Sequence, residues 1–503
     1  MNKTSNKKEV LTLLFFQEIK VLINKEYAIF KIGADNNFLY MTLINKENKY
    51  YESKFPLINK IESNKILDNN KIKLRYNEEK TKVIMDYKTK KFILNLKAHE
   101  DTFVVNNKDE LKIIEDFNNK YSCNINGIQK FILLKNKNIN NQGFKDLCNF
   151  NLNLTTLIID NNKISDLTPL KNNGKFIILE RLSLSQNNLD DITPLYHSSL
   201  NNLIELNLSQ NKINDIKALE GIKLNKLKTL NLNNNCISDI KSFEKINFEN
   251  LSLLYLSKNK ISQIDPLENS NLGKLGELDL SNNNIIDISS FEKTELYFLQ
   301  ILDLSYNEIN KIFIKNKFSF PSLKKLILKN NNIKEIKING RLQLGKLNII
   351  DLMQNDIEKI NISKVQKLNK LQEINLTQNK IEDISFLDFL EIKGLQKLLL
   401  GYNKIENIEI LSKLDIKKIS KLELNNNKII DIKVLKFMSL EKLSILNLSF
   451  NYIENINPLE NSNIPHIKTI FLKNNLINRN LQKNIDMINN IKYRNHQSLL
   501  SFP

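Results

Sequence analysis

The chain has 503 residues, a formal net charge of +18 and 41% hydrophobic residues. That length exceeds what one hydrophobic core organises, so the chain is either several domains or a repeat array in which each unit touches only its neighbours. The apolar fraction excludes wholesale disorder, and no stretch reaches the 18 or more apolar residues that span a membrane as a helix. The charge comes mostly from lysine, with only five arginines, Arg75, Arg181, Arg341, Arg479 and Arg494, and no basic block. Enrichment of lysine together with asparagine and isoleucine points to the codon bias of an AT-rich genome before it points to a polyanion site.

The N-terminal 22 residues place lysines before an apolar run, as a secretion signal does. However, Glu18 and Lys20 stand where small residues should precede cleavage. An amphipathic helix is expected there. Cys123, Cys148 and Cys236 are odd in number and fit neither a disulfide framework nor a zinc site, which suits a reducing, cytoplasmic setting.

Between residues 27 and 97 the segments YAIFKI, FLYMTLI, KYYESKF, IKLRY, KVIMDY and KFILNL are short, aromatic and β-branched, and they are separated by turn-like ADNN, NKEN, NEEK and KTKK. A small α+β domain over 1–105 is expected, rich in antiparallel strand, with a helix possible at 56–67. Residues 106–127 contain DELKIIEDFNNKY, which puts Leu111, Ile114, Phe117 and Tyr121 on one helical face. Such a helix suits a cap on the open end of a repeat array.

From residue 128 to 480 one frame, LxLxxNxIxxI, recurs. LNLNNNCISDI at residues 230–240 is a clear copy. Its asparagine falls at Asn162, Asn187, Asn211 and every 24 residues thereafter to Asn475, and a degenerate copy with Lys137 in the asparagine place precedes them, giving about 15 coils. The two leucines alternate with polar residues, the period of a short strand. The asparagine, carrying both donor and acceptor, can satisfy backbone groups where each strand turns. Asn283 is therefore expected to be structurally demanding, and its outward neighbour Asn282 to tolerate change. Three consecutive coils replace the usual apolar residue of the outer segment with Lys315, Asn339 and Ser363, and there IFI, IKI and INI alternate with period two. An extended outer backbone, with a local change of curvature, is expected in those coils. Residues 481–503 read as a C-terminal cap opening on a helix at 481–491.

These residues carry a resemblance. With its LxxLxLxxNxIxxI pattern and a further leucine three places on, as in LTTLIIDNNKISDLTPL at 154–170, the array resembles the leucine-rich repeat proteins. The repeats look most like those of protein-phosphatase-1 regulatory subunits and internalins. The resemblance implies a curved α/β solenoid with a concave parallel β-ladder, and the role of a regulatory subunit of a protein phosphatase as one functional possibility.

Catalytic patterns are sparse. His99, His197, His466 and His496 have no metal-ligand spacing, and no P-loop, G-x-G-x-x-G or G-x-S-x-G occurs. Asp190 and Asp191 read as turn and cap residues. No enzyme, cofactor or metal is expected; the array offers a surface. Strand alternation puts the residue between the paired leucines outward: Tyr255, Asp279, Asp303, Ile327, Asp351 and Leu399 lie in that column, with Tyr306, Met353 and Tyr402 nearby and Glu277 adding to the central acids. Exposed apolar residues among carboxylates suit a protein partner with a basic and apolar segment. Nucleic acid, which carboxylates repel, is not expected there, and binding of a polyanion would need the basic residues to converge on another face. The sequons at Asn207, Asn375 and Asn447 would put glycans on the same column, which again favours the cytoplasm. The function expected is a non-catalytic scaffold that binds a protein on its concave face.

Overall fold

The structure is a computed structural model. It describes residues 108–125, 130–150 and 152–478, and the backbone alone of strands at 15–23, 26–34, 38–44, 50–56, 72–76, 82–87, 90–95 and 499–501. The chain divides into two units, Met1–Lys120 with Ile125–Ile128 and Phe150–Leu152, and the remainder.

In the first unit, Phe15–Ile23, Glu26–Ala34, Phe38–Ile44 and Tyr50–Pro56 form a four-stranded antiparallel sheet, and Ile72–Tyr76, Lys82–Tyr87 and Lys90–Asn95 a three-stranded one. The first strand corrects the amphipathic helix expected at the start. Glu18, Ile19, Lys20 and Val21 alternate polar with β-branched, a period of two that the strand satisfies and a helix does not. The helix expected at 56–67 falls largely outside the described residues. Lys108–Tyr121 is helical, with Ile114 and Phe117 buried and Phe117 edge-on to Phe150 at 5.4 Å.

The second unit is the array. Fifteen three-residue strands, from Phe131–Leu133 of coil 1 to Thr469–Phe471 of coil 15, run parallel in one sheet, and Leu499–Ser501 pairs with the last to give a sixteen-stranded ladder. The closing helix expected at 481–491 lies outside the described residues. Register is uniform: Leu206 faces Leu230, which faces Leu254, Leu278 and Leu302 in turn. Because nearly every coil has the same length, each paired leucine stacks on its equivalent, and both leucines of each pair are buried over most of the array.

The turn after each strand is built twice over. The residue before the frame asparagine is left-handed in every coil from Asn161 to Asn474, with φ between 52° and 57°. The asparagine then bonds across coils. Asn283 Nδ2 donates to the carbonyls of Leu280 at 3.1 Å, Ser281 at 3.2 Å and, in the preceding coil, Leu256 at 2.9 Å. The same four-bond pattern, with Ile N–H as donor to Oδ1, recurs at Asn235, Asn307, Asn355 and Asn427. Backbone groups that the turn strips of ladder partners are thereby satisfied.

On the outer side most coils carry a short 3-10 turn, such as Lys217–Glu220 and Lys241–Glu244, with Leu219 or Phe243 packed inward. An aspartate opens it: Asp191 Oδ1 accepts the N–H of Thr193, and Asp239 Oδ1 that of Lys241, both at 2.7 Å. In three coils the outer backbone is extended. Lys311–Ile314, Glu335–Ile338 and Lys359–Ile362 form a parallel three-stranded sheet. With Lys315, Asn339 and Ser363 in the anchor position, a 3-10 turn would bury nothing, whereas alternate isoleucines of a strand, Ile312 and Ile314 for example, point into the core. Gly340 is needed at the edge of this sheet, because a Cβ there would lie 2.0 Å from the Asn316 carbonyl oxygen.

Candidate protein-binding face

The inner ladder brings the predicted column together. Tyr255 pairs with Asp279, Asp279 with Asp303, Asp303 with Ile327 and Ile327 with Asp351; Asn375 separates Asp351 from Leu399. All are half-buried. Tyr306, Met353 and Tyr402 are not strand residues. Tyr306 and Tyr402 occupy the left-handed turn position, 48% and 50% exposed, at the rim of the ladder. Met353 follows the strand, half-buried, with its N–H on Asp351 Oδ1 at 3.1 Å.

A second outward column was missed by sequence reasoning apart from Glu277. Leu253, Glu277, Ile301, Lys325, Ile349, Glu373 and Lys397 stack in register one side of the leucines. Leu253, Ile301 and Ile349 are half-buried apolar groups on the same inner face. The signal was available, since alternation sends the residue before the first leucine outward as surely as the one after it.

The carboxylates have two jobs. Asp279 Oδ1 accepts the Ser281 N–H at 3.0 Å and Asp303 Oδ1 the Ser305 N–H at 2.9 Å, closing the strand end as Asn375 does with Thr377. They also crowd one another. Burial, then the charges of Asp279 and Asp303, push the Glu277 carboxyl above its usual range, and Lys325 pulls it partly back. Burial raises Asp279 too, against the Ser281 hydroxyl and amide that favour its ionised form. Burial raises Asp351, opposed by the Met353 N–H and the Lys329 ammonium. The Tyr255 hydroxyl is raised by burial and by the charges of Glu277 and Asp279. Lys329 Nζ also lies 5.6 Å from the Tyr306 ring centroid, a cation–π contact. The patch thus holds negative charge at a desolvation penalty, flanked by apolar side chains.

Family profiles for leucine rich repeats match residues 177–237, 345–405 and 417–477, and a two-copy profile matches 225–269. The array is a leucine-rich repeat solenoid. Among solved structures, the leucine-rich repeat chain is similar to the internalin inlF of Listeria monocytogenes, at 23% identity over 73% of this chain and 89% of that one, with a TM-score of 0.44. It is similar to the internalin inlC2 of the same organism at 26% identity over 39% and 84%, TM-score 0.31. It is also similar to the Arabidopsis receptor kinase HAESA, solved with the peptide hormone IDA and the co-receptor SERK1, at 19% identity over 73% and 72%, TM-score 0.40. Among curated proteins none matches the sequence. Among the described residues no group of three or more His, Cys, Asp or Glu is arranged to hold a metal, and no helix is long and apolar enough to cross a membrane.

Proposed function

We propose that this leucine-rich repeat protein is a non-catalytic scaffold that holds a protein partner on the concave face of coils 6 to 12. The observation that carries the reading is the in-register run Tyr255, Asp279, Asp303, Ile327 and Asp351, in which carboxylates kept partly desolvated stand between apolar groups. A lysine or arginine entering that run would relieve the crowding, and the apolar neighbours would bury its stem. The occupant is therefore a basic, partly apolar protein segment. A cytoplasmic setting agrees with the cysteine usage, three residues, Cys123, Cys148 and Cys236, an odd number without the spacing of a disulfide framework.

The test is affinity capture from the native cell, identified by mass spectrometry and repeated with Asp303→Lys plus Asp351→Lys. A directly binding partner should be lost from that variant and retained by variants of outer-face lysines. Retention by the concave variant, with loss on the outer face, would sink the reading.

A further inference from the structure

The outer face of coils 8 to 10 differs in charge from the rest of the outer face. Segments 311–317, 335–341 and 359–367 together hold eight cations and one carboxylate, Glu335. The corresponding segments of coils 4 to 6, at 215–221, 239–245 and 263–271, hold three cations and six carboxylates. The difference in charge accompanies the change of backbone. A 3-10 turn uses an aspartate to accept its first N–H, as Asp287 does for Ser289 and Asp383 for Ser385 on either side of the sheet. A strand has no such N–H to cap, and Lys311, Glu335 and Lys359 occupy the corresponding places. Inter-coil ion pairs stop there too. Lys245 pairs with Glu220 and Lys293 with Glu268, whereas Glu292, next in that series, accepts the backbone N–H groups of Lys315 and Asn316 at 2.9 Å each. All eight cations are exposed, and among the described residues none lies within ion-pair distance of a carboxylate.

From these unpaired cations we propose that the outer segments 311–317, 335–341 and 359–367 of coils 8 to 10 bind the sugar–phosphate backbone of a nucleic acid, without reading its bases. This site is separate from the concave face and does not depend on it. The three outer strands, about 4.8 Å apart, carry Lys311, Lys337 and Lys359 across about 10 Å, with Glu335 in register between Lys311 and Lys359. Seven of the eight cations are lysines, point charges lacking the planar fork that recognises base edges. The half-buried aromatic of the patch, Phe313, already has Lys315 and Lys337 ammonium groups 5.4 Å and 5.2 Å from its centroid, so it offers no open platform for base stacking.

The experiment titrates the full chain into a fluorescent 20-nucleotide oligouridine, followed by anisotropy at several salt concentrations. With about five phosphates contacted, affinity should fall about 100-fold between 50 and 200 mM salt. Lys311→Gln, Lys337→Gln and Lys359→Gln together should flatten the log–log salt slope by about 2, and Lys364→Gln with Lys367→Gln by about 1.4. A control of equal charge, Lys163→Gln, Lys212→Gln and Lys260→Gln, should leave the slope unchanged. The proposal is overturned if the oligonucleotide does not bind, or if the control loses as much as the outer-sheet variants. It is equally overturned if the patch lysines matter only for phosphatidylserine vesicles or for polyglutamate. Circular dichroism establishes that each variant is folded, and the two-lysine variant decides the matter should the three-lysine variant fail to fold.

Discussion

Asn283 Oδ1 accepts the backbone N–H of Ile261, in the coil before its own, at 3.0 Å, while its Nδ2 serves carbonyls in both coils. One side chain therefore closes its own turn and fastens it to its neighbour. Asn283→Ala should destabilise the array by roughly 1–3 kcal/mol, the usual penalty for buried backbone groups left unpaired. Thermal unfolding with wild-type and variant side by side measures it, and an unchanged midpoint would show the ladder to be decorative.

Asn282 departs from the tolerance expected of an outward neighbour. Its φ of 54° is left-handed, a conformation that asparagine and glycine accept more readily than other residues. Asn282→Ala should lose about 0.5–1 kcal/mol and Asn282→Gly very little. A tolerant alanine combined with a damaging glycine would contradict that order.

Tyr306, Tyr402 and Phe450 adopt the same conformation at φ 55°, 57° and 56°, and each is about half exposed. Aromatic rings are poorly suited to that backbone, so Tyr306→Asn should raise the melting temperature even as it removes a proposed anchor from the rim. A fall in stability would mean that the ring packs more than it strains.

Tyr306→Ala combined with Ile327→Ala should weaken capture of the concave-face partner by at least about 2 kcal/mol, the size of a hot-spot loss, with the fold intact. Charge reversal at Asp303 and Asp351 should act mainly on the association rate, because on the proposed reading these carboxylates would steer a basic segment before contact. Surface plasmon resonance separates the two effects, and a charge-reversed variant with normal association would refute the steering role.

The raised carboxyls predict a definite sign of pH dependence. A pKa raised on folding contributes stability that is complete below the ordinary carboxylate range and is lost as pH rises through the raised value. Glu277, Asp279 and Asp351 are all of this kind, chiefly through burial. Replacing them with Gln, Asn and Asn should therefore stabilise the protein at neutral pH, and the gain should vanish as pH falls through the carboxylate range. Melting temperatures across pH 4 to 7 check this, and a gain that grows on acidification would reverse the assigned direction. A basic partner favours the ionised forms, so its binding near pH 5 should release protons, which calorimetry in buffers of different ionisation enthalpy detects.

From residue order alone follow the repeat, the ladder asparagines, the parallel strands and the column from Tyr255 to Asp351, because a strict period dictates which side chains must turn toward the core. The switch to extended backbone in coils 8 to 10 follows as well, since Lys315, Asn339 and Ser363 remove the apolar anchor that a helical turn buries. Other features arise only once the coils stack. The left-handed backbone at Asn282 and Tyr306 comes from closing each turn onto the next coil, and hydrophobic pattern carries no record of φ. The crowding of Glu277 with Asp279 and Asp303 depends on burial at the ladder surface. Lys311 and Lys359 lie two coils apart in sequence, and they share a face only because two successive strand pairings stack their coils in register.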